Sequence, residues 1–257
     1  MKAPLKVVFV IYLLVKSVLG LAQVNKAPEI WSGSYSEMLQ RGEIRLAVPY
    51  DRTIYINDKG TPRGLSVEIS KGLARWMNAK HANQLKGRPL SVKLVPTQSA
   101  ELLNSLTTGR ADIALGDIGL YEPIPNSRAF IVNHASRVEQ EVLVTGPSSL
   151  PLQKMTDLSG QTVYGSRNTN FKTTLSSLNK ELTRAGKLPV NLISPLGDLD
   201  DEDLLEMLNS GLISYVIIGD WKFKLWQSIY KNIAVHEDLS VQDAGWVGCC
   251  LLYTSDA

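Results

Sequence analysis

Cysteine is nearly missing from this chain: the two it has, Cys249 and Cys250, stand side by side in the closing stretch "GWVGCCLLYTSDA". Adjacent cysteines cannot easily close a ring with each other, and no third is present, so no disulfide framework organises the fold. Histidine is scarce too. His81, His134 and His236 are far apart, with no His-x-x-x-His or Cys/His spacing, and no metal is expected. Neither a G-x-S-x-G nor a phosphate-loop pattern occurs, no cofactor is expected, and Glu68 and Glu101 are single glutamates on predicted helices, which reads as solvated faces. No residue reads as catalytic. An excess of one charge sign is also lacking: 27 Lys and Arg against 25 Asp and Glu leave a net charge of +2, scattered along the chain, which excludes the basic field of a nucleic-acid partner.

A membrane-spanning run is lacking as well. The apolar stretch Val7 to Val15 is interrupted by Lys16 and is shorter than the roughly 20 residues a spanning helix needs. With Lys2 and Lys6 before it and Gly20-Leu21-Ala22 after it, residues 1–22 read as a secretory signal peptide cleaved after Ala22. No cysteine follows to carry a lipid, so export to a bacterial periplasm is expected.

What is present is strand and helix grammar. After a polar lead-in (23–40), "EMLQRGEIRLAV" predicts a short helix, a stop at Gly42 and a strand with alternating Ile44, Leu46 and Val48. A turn-rich loop, "PYDRTIYINDKGTPRG", leads to Leu65, Ile69, Leu73, Trp76 and Met77 at helical spacing. "LSVKLV" then reads as strand, "AELLNSLTTG" as helix ending at Gly109, and "ADIALGD" as a strand suited to burial on both faces. The same grammar returns later: Leu102 to Asp117 and Leu204 to Asp220 share LLxxLxxG, a buried strand and Gly-Asp. Each copy ends at an aspartate where the carboxyl edge of a parallel sheet opens into a crevice. The Gly/Pro/Ser cluster after "EVLVT" marks a lobe boundary. The expected architecture is α/β, with two wound, mostly parallel sheets flanked by helices: lobe 1 over 41–145, lobe 2 over 146–243, and the start of a return crossing at 244–249. A cleft between lobes favours small-molecule binding, with closure by a hinge at "LVTG" and near Trp246. Trp76, Trp221 and Trp226 lie at helical spacing with aliphatics and read as core.

"RGEIRLAV", "RGLSVEIS", "LTTGRADIA", "DLSGQTVYGS" and "NSGLISYVIIGD" resemble, in order and over nearly the whole mature chain, the family 3 bacterial extracellular solute-binding proteins, periplasmic receptors for polar amino acids. "VPYDRTIYINDKGTPRGLS", "LVTGPSSLPLQKMTDLSGQTVY" and "DEDLLEMLNSGL" are similar to the branch in which such a domain precedes the lysozyme-like domain of lytic murein transglycosylases of the F type. The resemblance implies a two-lobed type II periplasmic-binding-protein-like fold that binds an amino acid or a peptidoglycan-derived peptide. Peptidoglycan or an ABC permease would be its further partner, in a monomer that is periplasmic or associated with the outer membrane. It also implies helices that close lobe 1 after the return crossing, and the chain stops short of them. "CLLYTSDA" (250–257) resembles a translated sequencing adaptor and is expected to be a non-native tail.

The candidate ligand-binding residues follow. Ser166, Arg167, Thr169 and Asn170 precede a predicted helix, whose N-terminal N–H groups could hold a carboxylate, as the resemblance implies; on the residues alone, capping of that helix by Thr169 or Asn170 is the favoured reading. Asp220, after the apolar "YVII", matches a family position that receives a ligand ammonium, and also fits an N-cap for "WKFKLW". Asp117 is its first-lobe counterpart, with Gly119 where the family often has threonine. The family's carboxylate-binding arginine has its nearest equivalent in Arg128, later than the pattern and past Pro123 and Pro125. Tyr50 and Tyr55 stand where such receptors place an aromatic wall, and where hinge packing would also put them.

Overall fold

A computed structural model of the chain describes residues 30–117, 129–132, 140–165, 169, 171–194, 199–241 and 247–252. Ser34 and Glu37 form a reciprocal capping box at the start of α1 (Tyr35–Arg41), and Gly42 ends it and turns the chain into β1 (Glu43–Pro49). The turn-rich loop forms a small hairpin, β2 (Ile56–Asp58) and β3 (Thr61–Arg63), before α2 (Leu65–Lys80), α3 (Ala82–Leu85) and β4 (Ser91–Thr97). After α4 (Leu102–Thr107) come β5 (Ile113–Asp117), β6 (Ala129–Val132) and β7 (Glu141–Thr145). The second half runs β8 (Thr162–Gly165), α5 (Phe171–Arg184), β9 (Asn191–Ile193), α6 (Asp201–Asn209), β10 (Tyr215–Gly219), α7 (Asp220–Trp226), β11 (Ala234–Val241) and β12 (Val247–Leu252). Among the described residues no helix is long and apolar enough to cross a membrane.

Two five-stranded sheets result, in the orders β4-β1-β5-β12-β6 and β11-β7-β10-β8-β9. They share one plan. In each, three strands pair in parallel (β4, β1, β5 and β9, β8, β10), and a strand antiparallel to them, β12 or β7, fills the next place. A last strand, β6 or β11, pairs antiparallel with that one and so runs in the sense of the first three. Each sheet is therefore mostly parallel, as expected, with four of its five strands running one way and the strand that enters from the other lobe running against its neighbours.

That plan moves the lobe boundary. β7, assigned to the first lobe by its place before the Gly/Pro/Ser cluster, pairs with β10 and β11 in the second sheet. The cluster thus follows the entering strand instead of preceding it, and "LVTG" lies within a sheet, not at a hinge. The expected hinge near Trp246 lies outside the described residues. β12 carries the chain through Cys249 and Cys250 to Leu252, across the point at which the tail was set, and pairs with β5 and β6.

The two LLxxLxxG copies become matched helix ends. Gly109 and Gly211 adopt φ of +68° and +78°, and each N–H donates at 3.0 Å to the carbonyl of the last leucine of its motif, Leu106 or Leu208. Only glycine takes that left-handed turn without strain, which lets β5 and β10 start in the same sense. Their leucines are buried on equivalent faces, Leu102 and Leu106 with Ala47 and Ala114, and Leu204, Leu205 and Leu208 with Val142, Val144 and Val216. The opposite faces are covered by α1 and α2 in lobe 1 (Met38, Leu39, Met77) and by α5 in lobe 2 (Phe171, Leu175, Leu178, Leu182). Of the three tryptophans expected in the core, Trp76 is 53% exposed, with Lys80 Nζ 4.5 Å from its ring centroid; its position on α2 faces solvent.

Gly64 precedes α2 at φ +113°, and a Cβ there would meet the Ile54 carbonyl oxygen at 2.4 Å. Gly72, within α2, has open space around its Cβ position. Gly64→Ala is therefore expected to lose more than about 1 kcal/mol and Gly72→Ala to gain roughly 0.5–1 kcal/mol. Urea unfolding of the two variants beside the parent reads both signs.

Candidate functional site

The carboxyl ends of β1, β5, β8 and β10 carry the predicted residues. Tyr50 follows β1 and Asp117 ends β5, neighbouring parallel strands of one sheet, and Thr169 and Asp220 follow β8 and β10, neighbouring parallel strands of the other. Parallel sheets hold ligands at such edges.

Tyr50 is exposed and Tyr55 buried, their rings edge-to-face with centroids 5.9 Å apart. Between them the chain makes a tight loop. Asp51 and Tyr55 exchange backbone hydrogen bonds, and Asp51 Oδ1 accepts the N–H groups of Thr53 and Ile54, each at 2.8 Å. That local closure is an aspartate turn. It leaves Asp51 Oδ2 aimed outward.

In the second lobe, Thr169 is buried and its hydroxyl donates to Glu141 Oε2 at 2.8 Å, while the Phe171 N–H reaches both Thr169 Oγ1 and Glu141 Oε2. The start of α5 is thus served by an internal carboxylate from β7, which agrees with the capping role for Thr169. Asp220 is the first residue of α7 and Gly219 the cap, so the N-cap reading of Asp220 is corrected. Its N–H donates to the Gln140 carbonyl, and its carboxylate accepts Lys224 Nζ at 2.6 Å. Arg128, Ser166, Arg167 and Asn170 lie outside the described residues, and Asp117 is placed by its backbone alone.

The most densely charged contact lies between the lobes, on residues the sequence did not single out. Lys222, on the first turn of α7, is buried, with its ammonium 2.6 Å from Asp51 Oδ2, 3.0 Å from Asp201 and 3.6 Å from Glu202. Thr53 donates a short hydrogen bond to Glu202 Oε1 and accepts one from Trp226 Nε1 at 3.0 Å. Trp226 stacks on Tyr230, and Trp221 packs against the core of the first lobe. Around this centre Arg52 forks onto Asp203 at 2.6 Å and Glu206 at 2.8 Å. The loop 50–55 of lobe 1 is thereby seated on the starts of α6 and α7.

The electrostatics follow from burial. Glu202 is fully buried; desolvation pushes its carboxyl up to about 7, aided by Asp51 and Asp200 and opposed by Lys222 and Thr53. Burial works against the Lys222 ammonium too, but Asp201, Asp51 and Glu202 outweigh it and hold its pKa above the ordinary lysine value. Asp51, Asp200 and Glu202 offer oxygens that all lie within 4.8 Å of one another, a spacing a metal ion could use. Lys222 already brings positive charge among them, which disfavours a second cation. The signals for this centre in the sequence are the acidic run "DLDDED" at a helix start and a lysine enclosed by apolar residues in "WKFKLW".

No family model matches the chain. Membrane-bound lytic murein transglycosylase F of Aeromonas hydrophila is 26% identical over 205 residues, covering 79% of this chain and 37% of that protein. The protein of the same name from Alteromonas mediterranea is 27% identical over 210 residues, covering 80% and 42%. The chain thus spans about two-fifths of the length of the curated relatives it matches. Among solved structures, the holo ArgBP of T. maritima aligns with a TM-score of 0.60 at 17% identity, covering 85% of this chain and 86% of that one. An L-arginine-bound amino acid ABC transporter substrate-binding protein of Streptococcus pneumoniae gives 0.60 at 18%, covering 85% of both. The solute receptor for L-cysteine of Neisseria gonorrhoeae gives 0.59 at 19%, covering 86% and 82%. The chain is similar in sequence to membrane-bound lytic murein transglycosylase F and has the two-lobed α/β fold of type II periplasmic binding proteins.

Proposed function

We propose that this chain is a periplasmic solute-binding domain that closes on a small polar ligand, an amino acid or a peptidoglycan-derived peptide. The observation that carries this reading is the seating of the first lobe's loop 50–55 on the helix starts of the second, at the strand ends that carry Tyr50, Thr169 and Asp220. Tyr50 offers an exposed aromatic wall. Asp220, paired among the described residues with the exposed Lys224, offers a carboxylate for a ligand ammonium. The likeness to membrane-bound lytic murein transglycosylase F supports a sensory or regulatory domain of such a protein; in this reading it works as a monomer in contact with peptidoglycan and is associated with the outer membrane. The structural neighbours favour a second reading, a stand-alone receptor serving an ABC permease. Reading the source DNA beyond codon 249 separates them: a lysozyme-like domain supports the first, and a stop codon soon after closing helices supports the second.

The binding claim is tested by thermal unfolding with L-arginine, L-cysteine, L-glutamine and peptidoglycan tetrapeptide. A true ligand at a hundred times its Kd adds about 2.7 kcal/mol, which for a chain of this size raises Tm by roughly 5–10 °C. Asp220→Ala is expected to abolish that rise while leaving the ligand-free Tm nearly unchanged. A flat response to all four compounds would sink the reading.

A further inference from the structure

We infer that the carboxylate cage between the lobes is a binding site for a primary ammonium group, filled in cis by Lys222. The site rests on its own geometry and not on the solute reading. An alkylammonium has three N–H donors and no acceptor, and three carboxylates from two lobes surround this one: Asp51 from lobe 1, Asp201 and Glu202 from lobe 2. Asp51 is held for the purpose, its other oxygen being committed to two backbone N–H groups. Glu202 Oε2 is buried without a hydrogen bond and has the Lys222 ammonium as its nearby positive charge.

Charge also favours an ammonium here. Asp200 adds a fourth carboxylate next to Asp51 and Glu202, while the neighbouring cation, Arg52, is engaged by Asp203 and Glu206. Without the lysine the cage would hold only negative groups, facing each other across the lobe boundary. With it, the second lobe grips the first before any solute arrives, and the adjacent Trp221 carries the grip into the apolar core of lobe 1.

The test is chemical rescue in the full chain without solute. Lys222→Ala removes the ammonium and leaves room for a small amine. Its Tm is expected to fall by roughly 5–15 °C and to recover in part with millimolar propylammonium chloride, which should leave the parent unchanged. Tetramethylammonium chloride at equal ionic strength, which has no N–H donor, should not rescue, and neither should calcium chloride. Rescue by tetramethylammonium equal to that by the amine, or stronger rescue by calcium, overturns the inference. So does a lowered Tm that no amine restores, or an unchanged Tm. Should Lys222→Ala fail to fold, Asp51→Asn keeps the loop's Oδ1 acceptor and weakens only the cage. It is expected to raise the radius of gyration in solution scattering, and an unchanged radius counts against the site.

Discussion

Replacing Asp112 by alanine is expected to lower stability by about 3–5 kcal/mol, the range for removing one partner of a buried ion pair. Asp112 is 5% exposed and collects a whole network. Its Oδ1 accepts Arg45 Nη2 at 2.7 Å, and its Oδ2 accepts the Arg45 N–H at 2.7 Å and Arg41 Nη2 at 2.5 Å. Arg45, as deeply buried, also donates from Nε to Asp112 Oδ2 at 3.2 Å and to the carbonyls of Gly109 and Trp31. The network ties α1, β1 and the approach to β5 together, so its loss breaks a buried ion pair and three further hydrogen bonds at once. Such a loss is a large share of a domain's stability. Guanidinium chloride unfolding, compared at unchanged slope, measures it. The exposed pair Arg63–Asp58 is the control: Asp58→Ala should change stability by less than about 1 kcal/mol, because water screens that contact. Equal costs for the two variants would contradict the reading of Asp112.

Stability is also expected to fall as pH rises through about 7, because of Glu202. Its carboxyl is raised from an ordinary value of 4.5 to about 7 by burial, with Asp51 and Asp200 adding to the effect and Lys222 and Thr53 opposing it. Between those values the folded chain holds a proton that the unfolded chain has released. Its contribution is therefore complete below about 4.5 and lost as pH climbs through 7, a swing of ~3 kcal/mol. Glu202→Gln cannot ionise, so its stability relative to the parent should grow as the pH rises from about 5 to about 8.5. Denaturant unfolding of both proteins across that range reads the difference. A constant difference would show that Glu202 does not titrate there.

The two-lobed plan is legible in the sequence because its signals are local. Gly42 and the paired LLxxLxxG motifs each set a turn or a helix end within a few residues, and the structure keeps all of them. The sheet membership of β7 is not local. "EVLVT" is a buried apolar strand in either lobe, and only its partners β10 and β11 decide which. The interlobe centre is less legible still: Asp51 and Lys222 are separated by 171 positions, and nothing around either one announces the other. Trp76 is exposed against expectation because helical spacing defines a stripe but not its width; Met77, one position on, takes the inward place. Of the candidate residues, Thr169 and Asp220 stand at the strand ends where the pattern put them, each already engaged by a partner from its own lobe.

The matched sheets have a consequence for biosynthesis. The second sheet is built from one uninterrupted span, Glu141 to Val241, whereas the first needs β12, which the ribosome delivers only after that span is finished. Until then β5 and β6 have an empty place between them. Domains usually mature in the order in which they emerge. Here the order inverts: the first lobe to be translated is the last to be completed, and during that wait the strands beside the gap are open to pairing with any other nascent chain.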